Sequence, residues 1–346
     1  MSGLRVLQAI AGAAHGGAEA FFVRLVAALH RAGLTQHIVI RRDAARAAAL
    51  RGAGVDPMEL AFGSALDLAT PLRLAQEIRA WRPDIVLTWM NRATARMPPR
   101  FLAGGYAHAA RLGGYYDLSY YRRCDHLIGN TQAIVDYIRE QGWPAERVHY
   151  LPNFVDATPR PPLDRAQFET PRAAPLALAL GRLHENKGFD IALAALARVP
   201  SIHLWIAGEG PLGEVLKEQA RRLGILPRVR FLGWRDDVAA LLASADMLLC
   251  PSRHEPLGNV VIEAWAHRCP VVAAASDGPR GLIAPERDGL LVPVDDAAAL
   301  AEAMQRVAED RNLAAALAAA GRASYESRFT ETAVVRDYLD FFVRIA

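Results

Sequence analysis

The sequence predicts an α/β protein built of two doubly wound parallel-sheet domains. Three observations carry that expectation. Its 346 residues exceed what one hydrophobic core usually serves. Short apolar runs alternate with longer segments whose apolar residues recur three and four apart. A proline-rich stretch poor in apolar residues interrupts this rhythm near the middle. Near-continuous apolar strands separated by helices imply parallel sheets covered on both faces.

In the first half, residues 4–11, 37–41, 84–89 and 147–152 read as strands, with helices over 18–32, 68–80 and 131–141. The second half repeats the pattern, with strands over 176–180, 203–207, 229–233, 247–251 and 271–274. Its helices are expected over 188–199, 213–223, 237–244 and 259–267. Residues 157–175 carry Pro159, Pro161, Pro162, Pro171 and Pro175 and read as a linker, which sets domains of 1–165 and 166–330. The Ala-rich stretch 313–322 has the composition of a good helix.

Composition bounds the function. Hydrophobic residues at 52% and charged residues at 22% describe a folded chain rather than a disordered one. No stretch approaches the ~20 apolar residues of a membrane span, and the N-terminal apolar run is too short for a secretory signal. Cys124, Cys250 and Cys269 are scattered and outside CxxC spacing, which argues against a disulfide framework or a zinc site and fits a reducing cytoplasm. Through Arg165 the chain has 20 arginines against 14 acidic residues, while the remainder has 20 basic against 23 acidic residues. A basic first half suits an anionic acceptor or membrane surface. No Lys/Arg block reaches nucleic-acid-binding density.

In doubly wound sheets, ligands sit outside the carboxyl ends of the strands, so those loops are the places to look. Gly16 and Gly17 precede the first long helix, where free amides favour an anion, although a tight turn explains them equally well. After the strand 176–180, Arg182 and Lys187 flank a helix start and could bracket a diphosphate. Lys187 is one of only two lysines, with Lys217. Gly208-Glu209-Gly210-Pro211 allows another segment or a ligand to lie close, and Phe231-Leu232-Gly233-Trp234 closes a strand where it could border a flat ring, although a buried aromatic edge is the stronger reading. The most informative segment is 251–264. Glu255 lies in a strand-end loop, Leu257, Gly258 and Asn259 would open a helix, and Glu263 sits inside the apolar run Val260–Ala266. A carboxylate there needs a partner, and sugar hydroxyls are suitable ones.

Here the chain resembles a retaining nucleotide-sugar glycosyltransferase of the GT-B fold, glycosyltransferase family 4 (glycosyl transferases group 1). Glu255-Pro-Leu-Gly-Asn-Val-Val-Ile-Glu263 is similar to the family's E-x7-E motif, and Arg182 through Lys187-Gly188 to its phosphate-binding pair. Gly208–Pro211, Gly16–Glu19 and Pro152–Asp156 resemble further family segments, and the likeness runs in order along the chain. It implies two facing Rossmann-like domains, with a last helix in 331–346 packing back on the first. It further implies that Arg182 and Lys187 hold the donor diphosphate, assisted by amides around Gly17 and at Leu257, Gly258, Asn259 and Val260, with Gly208 beside the donor. Glu255 would grip the donor sugar and Glu263 the ribose. The family commonly carries a histidine after the strand corresponding to 107–112; this chain has Gly113-Gly114-Tyr115-Tyr116-Asp117. Tyr116 or Asp117 would take that place, or His108 would reach in from the strand.

The expected function is transfer of a hexose-type sugar from a nucleoside diphosphate to an acceptor hydroxyl with retention, in lipopolysaccharide or other cell-envelope glycan synthesis. The acceptor would be a glycolipid or oligosaccharide. Arg92, Arg96, Arg100, Arg111, Arg122 and Arg123, with nearby tyrosines, would face an anionic acceptor and contact the membrane peripherally. No metal or other cofactor is expected, because Asp236-Asp237 and Asp295-Asp296 read as helix caps rather than a DxD site. The rivals are another GT-B enzyme (an epimerase or phosphorylase) and a non-catalytic nucleotide-sugar binding protein. A dehydrogenase is disfavoured, since neither half shows GxGxxG with a downstream acid.

Overall fold

Residues 3–13, 16–63 and 67–346 are described by the structure, a computed structural model. The chain divides into unit 1, Met1–Phe154 with Glu331–Ala346, and unit 2, Val155–Thr330. This division falls before the proline-rich stretch that the sequence offered as a linker. That stretch is strapped onto unit 2: Leu163 N–H donates to Ser244 Oγ at 2.7 Å, and Thr170 Oγ1 accepts from the Trp205 indole at 2.9 Å.

Unit 1 runs β1 (Arg5–Ile10), α1 (Gly17–Arg31), β2 (Thr35–Arg41), α2 (Ala44–Gly52), β3 (Met58–Leu60), α3 (Ala69–Trp81), β4 (Ile85–Trp89), α4 (Met90–Ala95), α5 (Arg100–Ala103), β5 (Ala107–Leu112), β6 (His126–Gly129), α6 (Gln132–Glu140) and β7 (Val148–Tyr150). Its parallel sheet has the order β3-β2-β1-β4-β5-β6-β7. The chain moves outward from β1 to β3 and returns beside β1 with β4, so the crevice between the β1 and β4 ends is the topological switch point. Alternate residues serve opposite faces: Val6 and Ile10 join one core, Leu7 and Ala9 the other. Gln8, fully buried between Val6 and Ile10, is satisfied by Gln36 Oε1 at 2.7 Å and the Trp89 indole at 3.1 Å.

Unit 2 runs β8 (Leu176–Leu180), α7 (Phe189–Leu196), β9 (His203–Ala207), α8 (Gly213–Arg222), β10 (Val229–Gly233), α9 (Val238–Ser244), β11 (Met247–Cys250), α10 (Asn259–Ala266), β12 (Val271–Ala274), α11 (Asp277–Leu282), β13 (Leu290–Val292), α12 (Ala297–Glu309) and α13 (Arg311–Arg328). The order β10-β9-β8-β11-β12-β13, again all parallel, puts its switch point between β8 and β11. The chain then returns to unit 1 through α14 (Glu331–Ile345), whose Val334, Tyr338, Phe341 and Phe342 are fully buried in the core beneath α1. Buried Arg111 ties this helix down: its Nε donates to Tyr338 Oη at 3.0 Å, and its guanidinium stacks on Phe21 and Trp89. Arg111 is thus a core residue, not an acceptor contact.

Candidate functional site

In unit 2, the residues singled out from the sequence gather on the loops that leave β8 and β11. The Lys187 ammonium forms a hydrogen-bonded ion pair with the buried Glu255 carboxylate. Burial works most strongly on Lys187 and disfavours its charge; Glu255, with the Cys250 thiol and Glu263 behind it, outweighs this and raises the lysine above its ordinary range. Glu263 is half-buried on the second turn of α10, within electrostatic reach of the same ammonium. Arg182, on the β8 loop, is exposed and has no hydrogen-bond or ion-pair partner among the described residues.

Backbone contacts hold these loops together. Gly208, at φ 147°, lies so close to the Gly181 carbonyl that a Cβ would sit 1.9 Å from its oxygen. Gly188, at φ 63°, lies against the Pro251 carbonyl, where a Cβ would come within 2.1 Å. The glycines thus serve loop-on-loop packing, which brings the β8, β9 and β11 loops to one place. Glu255 Oε1 accepts the Gly258 N–H at 3.3 Å, so one amide at the start of α10 is already engaged. Leu257 and Gly258 are buried, Asn259 and Val260 half-buried.

Arg253 was not singled out by its sequence context. It makes a two-pronged pair with Asp190 (2.8 and 2.6 Å), reaches Asp295 at 2.6 Å and donates to the Glu185 carbonyl at 2.9 Å. It therefore clamps the loop bearing Lys187 to the loop bearing Glu255. Asp295 is an ion-pair partner rather than a helix cap, while Asp296 does cap α12 through the Ala298 and Ala299 amides. Asp237 likewise pairs with Arg235 instead of capping α9. Trp234 is 72% exposed at the end of β10, not a buried edge. The three thiols lie in the interior, and burial pushes the Cys250 thiol up to about 11.

In unit 1, the loop after β1 wraps the buried Glu19 carboxylate. Glu19 Oε1 accepts the Ala13 N–H at 2.8 Å, and a Cβ on Gly12 or Gly16 would collide with that carboxylate. The segment around Gly17, which opens α1 and is exposed, thus contains an acid whose role the sequence did not announce. Glu19 lines a cavity of about 280 Å³ at the switch point with Gly12, Arg41, Met90, Arg92 and Tyr116. Of the three acceptor-side candidates, Tyr116 joins this cavity; burial, reinforced by Glu19, raises its phenol. Asp117 is exposed and caps a turn through the Ser119 N–H at 2.9 Å. His108 is buried near the amino end of β5, with Nε2 at 3.1 Å from Thr88 Oγ1, and burial lowers its imidazole to about 4. It does not reach the cavity. Arg100, Arg122 and Arg123 lie beside it at the amino ends of β5 and β6, the sheet end opposite the switch point. Arg92 and Arg96 are the members of the expected cationic set at the carboxyl end, together with Arg41.

Residues 15–158 match the family model described as Glycosyltransferase Family 4, and residues 174–310 that described as Glycosyl transferases group 1. The chain is 36% identical to the lipopolysaccharide core biosynthesis glycosyltransferase LpsE of Rhizobium meliloti (strain 1021), over 94% of this chain and 95% of that one. It is 35% identical to LpsD of the same organism, over 95% of each. Among solved structures, Anabaena HepE in complex with UDP and glucose superposes with a TM-score of 0.84 at 23% identity, covering 99% of this chain and all of that one. The apo lipopolysaccharide outer core galactosyltransferase WaaB superposes at 0.76 and 19% identity, covering 97% and 98%. Two parallel-sheet units of this topology, the paired acids in their motif spacing and these full-length matches make the chain a member of the group 1 glycosyltransferases, glycosyltransferase family 4.

Proposed function

We propose that this glycosyltransferase takes its sugar from a nucleoside-diphosphate donor bound on the β8 and β11 loops and transfers it with retention of anomeric configuration. The observation that supports this most is the Lys187–Glu255 pair with Glu263 close behind it: an ammonium for a phosphate flanked by two acids for hydroxyls. Lys187 and Arg182 hold the diphosphate, Glu255 the sugar and Glu263 the ribose, with Gly208 and the start of α10 beside them. As the anomeric C–O bond breaks, charge collects on the departing diphosphate, where the two cations stabilise it. The acceptor oxygen bonds to the anomeric carbon on the face the diphosphate leaves, and its proton passes to a phosphate oxygen. Since the cations supply the positive charge, the reading calls for no metal or organic cofactor.

Unit 1 takes the acceptor in this reading, at the Glu19 and Tyr116 cavity. The likeness to LpsE and LpsD supports a hydroxyl of a lipopolysaccharide core or a related cell-envelope glycolipid or oligosaccharide. HepE was solved with UDP and glucose, so UDP-glucose is the first donor to try. No helix among the described residues is long and apolar enough to cross a membrane. The proposed place of action is the cytoplasm, where the basic first half would touch the inner membrane face. Calorimetry against UDP, GDP and ADP tests the donor assignment: one nucleotide should bind, and Lys187→Ala should weaken it. NMR of the product linkage tests retention. Absence of binding by all three nucleotides, or an inverted linkage, overturns the reading, and co-sedimentation with anionic vesicles that ignores salt counts against the membrane contact.

A further inference from the structure

A second cavity of about 630 Å³ adjoins the Glu19 cavity in unit 1 and shares Arg41, Asn91 and Arg92 with it. Arg41 ends β2, Arg92 lies in α4 and Arg96 just beyond it, so three guanidiniums from two separate parts of the chain line one hollow. Among the described residues, neither Arg41 nor Arg92 has a carboxylate within ion-pair distance. Arg96 donates to the Gly63 carbonyl at 3.3 Å and faces Asp67, but that acid is occupied by the Gly63 and Thr70 amides and the Thr70 hydroxyl. Three guanidiniums therefore line the joined cavities against two acids, Glu19 and Asp67, which leaves positive charge in excess there.

The backbone supplies an independent sign. Phe62 (φ 44°) and Met90 (φ 61°) hold left-handed conformations that L-residues rarely adopt, and each lines one of the two joined cavities. Such strain concentrates at ligand sites, where the surrounding structure enforces it. Solvated arginines on an ordinary surface would need no shaped hollow and no strained walls.

We propose that this cavity receives an anionic substituent, a phosphate or a carboxylate, carried by the acceptor beside the sugar that the Glu19 cavity holds. The enzyme then selects a charged glycan over a neutral one. Guanidinium forks suit both anions, since each presents paired oxygens. The inference rests on reading unit 1 as the acceptor side, whereas the donor's diphosphate is assigned to unit 2.

The test titrates the full chain, with and without UDP, with mannose 6-phosphate, glucuronate and mannose. At least one anionic sugar should bind ~10-fold or more tighter than mannose, and Arg41→Gln/Arg92→Gln should abolish that preference, as loss of charge-assisted hydrogen bonds implies. Arg41→Lys/Arg92→Lys, which keeps the charge, should retain most of it, separating lost recognition from lost folding. The anion that binds identifies the substituent. Equal affinity for all three sugars, or a preference that survives the Gln variant, overturns the proposal. So does a preference lost only in Lys187→Ala, which would assign the anion to the donor loops. Failure of UDP, GDP and ADP alike to bind would remove the donor assignment instead, and the titrations without nucleotide would still decide this one.

Discussion

Lys187 and Glu255 hold each other in place, so their replacements should fail differently. Lys187→Ala removes a charge aimed at the leaving group and should lower kcat by ~100-fold or more with a smaller change in KM. Glu255→Gln leaves a half-buried ammonium without its main counter-charge, so burial then pulls the lysine down. Its activity should fall at alkaline pH before that of the parent does, measured as a pH–rate profile. Glu263→Ala should weaken nucleotide affinity while circular dichroism stays unchanged. Arg253→Gln breaks the clamp between the two loops, and both kcat and donor affinity should drop although Arg253 is assigned no contact with the donor. The sequence showed the paired acids and the lone loop lysine because their spacing and scarcity stand out. It hid Arg253 and Glu19, since one is an arginine among 38 and the other opens a helix just behind a glycine pair that reads as a turn.

Most strands were readable, among them the short β7, β11 and β12; the three- and four-residue β3, β6 and β13 were not, and β5 entered only through the family likeness. A three-residue strand offers no alternation to detect, and His126-Leu-Ile-Gly129 carries too little apolar length to register. The Ala-rich α2 and α12 were missed for a related reason: alanine favours a helix without marking which face is buried. The glycine loops were seen, with the close approach of a ligand or of another segment left open at Gly208. The contacts show that Gly188 and Gly208 serve the approach of one loop backbone to another. Gly188→Ala must displace the Pro251 carbonyl from a left-handed position, costing ~1–3 kcal/mol by the usual expense of such strain. A lowered Tm together with weaker nucleotide binding is the expected pair of results.

The strand–helix rhythm implies two parallel sheets without ordering their strands, and the division point differs from the expected one because proline content marks an irregular path and not a free one. Residues 157–175 are irregular yet bonded along unit 2. Six of the ten histidines (His37, His108, His126, His149, His203 and His267) are held below their ordinary value, burial being the largest cause in each. A native state that keeps these rings neutral binds fewer protons than the unfolded chain below pH ~6.5. Stability should therefore be complete above that value and decline as pH falls, with His108 and His149 continuing to contribute down to about 4. Tm measured between pH 7.5 and 5 should decrease on acidification, and less steeply in His108→Gln/His149→Gln.

The return of α14 to the core of unit 1 has a consequence for how the molecule is made. On the ribosome, the opening 154 residues emerge first, yet the surface under α1 stays uncovered until Phe341 and Phe342 have left the exit tunnel. The earliest-born half is the last to be completed, and throughout the translation of some 176 intervening residues it must wait with greasy side chains in reach of other nascent chains.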